Sequence, residues 1–412
     1  MAHATRDHTP TTEAFLVRRA LERLREGLYD PFAVRLLTAG NQALNAKVTT
    51  DLQRVAAGKA AHLCVCGPYG QGKSHTLTYL RDVVLAQGYA VSSINLDPRE
   101  APLHQFRQVY RVLLETLTFP SGNGAAEAPT SLIDAWQGWV RTQSLPQKQS
   151  SAALSTLLPP VMPHPFKCVM VALVQTTLVV SGERRHLKRY RDYRPADFPT
   201  TLRRMLLGDT VPVTRLRPAL KYRQVDFYRD DTLTLRDDSA FLWMVIGLAQ
   251  LMRQMGYRGW VLLFDEGEAM IQVRSPLRAR SYRILHRLLY PEVPQPNCYP
   301  VFAFTPEFFQ QLRAEDYDLP FFDRDYDEAF RHLSVYQLPS LTRQTWQMIC
   351  TTLIDLHGTA YRWSADANQI LPMLIQRLDK LPLQDTRMTL KGLVEVLDQV
   401  QQALLFGDGV QD

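Results

Sequence analysis

Val65-Cys66-Gly67-Pro68-Tyr69-Gly70-Gln71-Gly72-Lys73-Ser74 is the stretch on which the reading of this chain turns. It meets the pattern G-x-x-x-x-G-K-[ST] at Gly67, Gly72, Lys73 and Ser74. The residue types follow from the needs of a phosphate cradle. A triphosphate requires several donors at close range, so the backbone must turn its N–H groups inward. Gly67, Gly70 and Gly72 have no Cβ and leave the backbone free to bend and approach. The Lys73 ammonium has the reach for β- and γ-phosphates, and the Ser74 hydroxyl is a ligand type for Mg²⁺. A helix that starts here adds a field favourable to an anion. Pro68, Tyr69, Gln71 and His75 complete the candidate nucleotide-binding stretch.

The alternative is an ordinary glycine-rich turn, and the flanks argue against it. Ala60 to Cys66 has the character of a short buried strand. His75 to Leu85 places Leu77, Leu80, Val84 and Leu85 at helical spacing. Strand, glycine loop, helix is the context in which the motif carries its chemistry.

Working outward, a second segment pairs with the first. Gly259-Trp260-Val261-Leu262-Leu263-Phe264-Asp265-Glu266 is a continuous apolar run ending in two acids. That is the form of a buried parallel strand whose carboxyl end faces a ligand. Asp265 is the candidate for the Mg²⁺ shell, and Glu266 for orienting or deprotonating water. A strand closed by an acidic turn is the plainer alternative. Glu268 is expected to cap or pair. Tyr299 to Thr305 is a further strand, whose polar tip, Thr305, is placed to bond a lytic water or γ-phosphate. Val335 to Thr342 is a fifth strand running into a helix start.

The totals bound the class. The chain has 412 residues, 46% of them hydrophobic and 21% charged, which describes a globular protein. It carries no apolar run long enough for a transmembrane helix. Residues 1–12 read as a flexible tail without a signal-peptide core, and a cytoplasmic location is expected. Cys64 and Cys66 sit in a predicted core strand, and free buried thiols are expected for all five cysteines rather than a metal site.

Charge is uneven. The net charge is +6, yet residues 181–223 hold twelve Lys/Arg against four Asp/Glu. Within that segment Arg184, Arg185, Lys188, Arg189, Arg191 and Arg194 are interleaved with Tyr190 and Tyr193. Cations mixed with aromatics suit phosphate contact with base stacking. A bridge to a protein partner and a solvated face remain open. A second cluster, Arg274, Arg278, Arg280, Arg283 and Arg287, lies on one predicted helix with no acid between residues 271 and 290. It suits a DNA backbone or an acidic neighbouring subunit, with a solvated face as the alternative.

The expected organisation is α/β: a parallel-sheet core with a helical insertion and a small helical C-terminal domain. After the tail, residues 13–120 hold N-terminal helices and the first half of the core. Residues 121–235 form the mostly helical basic insertion. Residues 236–342 complete the core, and residues 343–412 form a helical lid. Asp30 and Pro31 are the expected N-cap and first residue of a short helix. The upstream helices either pack near an adenine or merely cover the sheet.

This order of parts resembles the AAA+ class of P-loop ATPases, near its initiator-like branch, with residues 67–74 as Walker A and 261–266 as Walker B. The resemblance implies a first-sensor role for Thr305, a second-sensor role for Arg387, and an arginine finger at Arg331, with Arg324 and Arg313 as alternatives. More closely, the chain resembles the ATP-binding proteins of BREX-type phage-resistance loci. Leu262-Leu263-Phe264-Asp265-Glu266-Gly267-Glu268, Arg278-Ala279-Arg280-Ser281-Tyr282 and Leu338-Pro339-Ser340-Leu341-Thr342 carry that likeness. It implies ATP and Mg²⁺ as cofactors, a homo-oligomer, and action on DNA or a defence-system partner. The segment 120–235 departs from a compact AAA+ core. Two functional classes follow: an ATP-hydrolysing oligomeric switch, and a nucleotide-gated scaffold with negligible turnover. A small-molecule kinase is disfavoured, because no acceptor pocket is evident and a sensor-like Thr305 has no use in one.

Overall fold

The computed structural model describes residues 12–38, 40–121, 128–143, 151–178, 197–211, 220, 238–293, 295–381, 383 and 385–406. The tail up to Thr11, and the cluster of Arg184, Arg185, Lys188, Arg189, Arg191 and Arg194 with Tyr190 and Tyr193, lie outside the described residues.

Among the described residues, five strands form one parallel sheet in the order β2-β3-β4-β1-β5. They are β1 (Leu63–Cys66), β2 (Ala90–Asn95), β3 (Trp260–Asp265), β4 (Cys298–Phe304) and β5 (Val335–Gln337). The chain is therefore α/β with a parallel sheet, as expected. Every residue of β1 and β4 is buried, and β3 is buried up to Phe264. Continuous rather than alternating apolar character is what a parallel strand covered on both faces requires. β2 pairs with β3 from Ala90↔Trp260 to Asn95↔Asp265, and β3 with β4 from Trp260↔Cys298 to Phe264↔Phe302. β5 is shorter than its sequence run. Leu338 N–H still donates to Cys66 O at 2.8 Å, and Pro339, with no N–H to give, ends the ladder. All five cysteines are free and buried. No helix among the described residues is long and apolar enough to cross a membrane.

The chain divides into two compact units. The first comprises Met1–Lys47, Val65–Leu80 and Tyr336–Asp412. Its core joins α1 (Thr12–Arg25) and α2 (Pro31–Leu37) to the helices Arg343–Tyr361, Ala367–Leu378 and Thr386–Phe406. Val17, Leu21 and Leu24 pack in one cluster with Trp346, Leu353, Leu374 and Leu393. Asp30 caps α2 through Phe32 N–H and Ala33 N–H, and Pro31 opens the helix, where its missing donor costs nothing.

A polar network crosses this core. Arg25 donates to both oxygens of Asp398 at 2.8 Å. His357, fully buried, lies 2.9 Å from Asp398 through Nε2 and accepts from Trp363 Nε1 at 2.9 Å through Nδ1. An indole only donates, so Nδ1 is the acceptor and Nε2 carries the proton. Burial pushes the His357 imidazole below its ordinary pKa, consistent with this neutral tautomer.

The second unit comprises Val48–Cys64 and Arg81–Val335. Helices of the 121–235 stretch contribute to its core: Trp136, Phe166, Met170, Phe198 and Leu202 join one cluster with Ile94, Leu262 and Phe264. Trp136 Nε1 donates to Met170 O, and the Tyr110 hydroxyl to Leu206 O, so these two aromatic polar tips are satisfied inside.

Candidate functional site

β1 follows α3 (Gln42–Ala56) in the chain and ends at Cys66, and α4 (Lys73–Ala86) begins at the motif lysine, so residues 67–72 form the whole turn. Gly70 and Gly72 have φ of +81° and +101°, a region costly for other residues. Gly70 is also packed: a Cβ there would lie 2.6 Å from Asp385 Oδ1. Lys73 is buried, and its ammonium donates to Gly67 O at 3.1 Å and Pro68 O at 3.3 Å. The amine is thus folded into the loop it would share with a phosphate. Gln71 Nε2 donates to Leu338 O at 3.1 Å and ties the loop to the segment after β5. Ser74 is half-buried in the first turn of α4. His75 Nε2 lies 2.8 Å from Thr38 Oγ1, and burial pushes its imidazole down to about 4. His75 is therefore neutral at neutral pH, and Lys73 is the cation of residues 67–75. Tyr69 is 72% exposed. The Arg387 guanidinium stands 5.2 Å over its ring and donates to its hydroxyl at 3.1 Å. Asp385 accepts from Met388 N–H at 3.1 Å and so starts the helix that carries Arg387.

In the second unit, Asp265 closes β3 half-buried and Glu266 follows it exposed. Glu266 N–H donates to Asp265 Oδ1 at 2.9 Å. Glu266 adopts φ 54° and ψ 41°, a left-handed conformation uncommon outside glycine. Gly267 explains how the turn is held: a Cβ there would meet Phe304 Cε1 at 2.5 Å and Ala303 O at 2.7 Å. Gly267→Ala is expected to cost about 1–3 kcal/mol of stability through overpacking, read as a lower denaturant midpoint. An unchanged midpoint would show that β4 yields at this contact.

Thr305 is buried at the end of β4 and heads the helix Pro306–Arg313 without making a side-chain capping bond. Arg331 is exposed and 3.8 Å from Glu328. Arg324 lies 3.9 Å from Asp323 and 3.4 Å from His286 Nε2. Arg313 is exposed in the last turn of its helix. Of the cationic helix Ser275–Leu289, Arg278 turns inward onto Glu315, with bonds of 2.8 and 2.6 Å. Arg283 pairs with Asp323 at 3.3 Å. Arg280 and Arg287, with Arg274 just before the helix, are exposed.

With a glycine loop, an acid-tipped strand and a parallel sheet in place, comparison with family models is decisive. The model described as BREX system ATP-binding protein BrxC/D matches residues 16–157 and 233–406. The chain belongs to this family. No curated protein and no solved structure matches the chain. The BrxC/D match covers the glycine loop, the β3 acids, Thr305, Arg331 and Arg387. It omits residues 158–232, which contain the whole of the basic stretch 181–223. Asp385 and Leu338, which press on or tie the loop, escaped sequence reasoning. The signal available for Asp385 was its place just ahead of a helical run, where a carboxylate caps. Leu338 offered none, because a carbonyl acceptor leaves no trace in residue type.

Proposed function

We propose that this BrxC/D-family chain is an AAA+-type ATPase. It binds ATP on residues 67–75, and its turnover switches a homo-oligomer acting on DNA or a defence-system partner. Lys73 neutralises the β- and γ-phosphates, and the loop N–H groups hold their oxygens. Ser74 and Asp265 are the residues that would offer a hydroxyl and a carboxylate to Mg²⁺, a hard cation that takes such oxygens. A magnesium ion held there would screen the phosphate charge. Glu266 orients the attacking water and takes its proton, and Thr305 hydrogen-bonds the same region. Arg331 reaches a neighbouring protomer's nucleotide, a contribution that can reach 10³–10⁵ in rate in related chemistry. Arg387 reports nucleotide occupancy to the helices of residues 343–406.

The observation that carries this reading is the Lys73 ammonium folded onto the Gly67 and Pro68 carbonyls within a glycine turn. It points to a loop already shaped around its cation. Equilibrium binding of a fluorescent ATP analogue tests it. Lys73→Ala is expected to weaken binding by roughly 10–150-fold, the worth of one charge-assisted hydrogen bond. Equal affinity in the two proteins would refute nucleotide binding on this loop. Nucleotide retention with no phosphate release, with or without DNA, would replace the switch by a nucleotide-gated scaffold.

A further inference from the structure

The second unit contains a cleft of about 450 Å³ between the helix Asp238–Gln254 and the end of the helix Ser275–Leu289. Its size falls within the range that holds small ligands. One wall presents three guanidiniums, Arg283, Arg287 and Arg324. The other presents Trp243, an indole 40% exposed, beside the apolar Leu242 and Ile246.

The charge on the cationic wall is only partly offset. Asp323 sits between Arg283 at 3.3 Å and Arg324 at 3.9 Å, and also accepts from the Tyr326 hydroxyl at 2.6 Å. Glu292 is the second carboxylate of the lining. His286, also in the wall, is held below its ordinary pKa, first by burial and then by Arg324, so it adds no charge at neutral pH. Three cations therefore face two carboxylates, and Arg287 stands exposed at the edge. Tyr290, in the same lining, buries its hydroxyl without a hydrogen-bond partner among the described residues.

We propose that this cleft binds one nucleotide unit, with its phosphate on Arg283, Arg287 and Arg324 and its base against Trp243. The planar guanidinium fork matches phosphate oxygens in pairs. An exposed indole offers a stacking face that any base fits. The unit comes either from a free mononucleotide or from a single strand of DNA. The proposal does not depend on ATP at the glycine loop.

Calorimetric titration of the full chain carrying Lys73→Ala, which weakens nucleotide binding at that loop, separates the two questions. The probes are thymidine monophosphate, a 5′-phosphorylated ten-nucleotide single strand, and inorganic phosphate. Binding of the nucleotide or the strand, at least about fivefold weaker with Trp243→Ala, is the expected result. Arg287→Ala is expected to weaken it about tenfold or more. Both side chains are solvent-exposed, so the variants should fold, which a thermal melt verifies. Binding by the mononucleotide identifies a free ligand, and binding by the strand alone identifies DNA. The proposal fails if neither probe binds, if phosphate binds as tightly as the nucleotide, or if neither substitution weakens binding.

Discussion

Glu266→Gln is expected to lower ATP turnover by on the order of 10²–10⁴-fold while leaving ATP affinity nearly unchanged. The substitution keeps the side chain's size and removes its ability to accept a proton as a carboxylate. Glu266 is exposed, directly after the buried strand β3, with its N–H fixed on Asp265 Oδ1 at 2.9 Å. Its left-handed backbone is held by the close packing of Gly267 on β4. Such conformations cost about 1–3 kcal/mol and persist where the surroundings over-determine them, often at functional sites. Phosphate release measured beside equilibrium nucleotide binding checks the prediction. Turnover equal to that of the unaltered chain would remove Glu266 from the chemistry, whatever became of binding.

Glu315→Ala is expected to destabilise the second unit by about 3–5 kcal/mol, because it strands a mostly buried cation. The Arg278 and Glu315 side chains are only 14% and 4% exposed. Two hydrogen bonds join them, Nε to Oε2 at 2.8 Å and Nη2 to Oε1 at 2.6 Å. Glu315 accounts for the rise of the Arg278 pKa above its ordinary value, which marks the guanidinium as dependent on that partner. Replacing both by apolar residues, Arg278→Met with Glu315→Leu, is expected to cost much less, since no charge is then left unpaired. Denaturant unfolding of the single and double variants makes the comparison. A single variant as stable as the parent would show that water reaches Arg278.

This pair also shows where sequence reading stopped. Arg274, Arg278, Arg280, Arg283 and Arg287 are alike as letters, and helical spacing alone cannot say which faces a carboxylate thirty-odd residues away in sequence. The fold turns Arg278 inward and leaves Arg280 and Arg287 outside. The cleft beside Trp243 was invisible for the same reason. Its walls come from a helix before β3, a helix after it, and the residues around Asp323.

By itself, the sequence determined the α/β class, the five strands of the parallel sheet, and the glycine turn between β1 and α4. Local chemistry suffices there: continuous apolar runs demand burial, and a cradle open to phosphate demands glycine. The strand order β2-β3-β4-β1-β5 was decided only in three dimensions. So was the union of α1 and α2 with the C-terminal helices in one core, and the placing of Arg387 over Tyr69. An amphipathic face states that it must be covered, not by what, and partners hundreds of residues apart are chosen by packing.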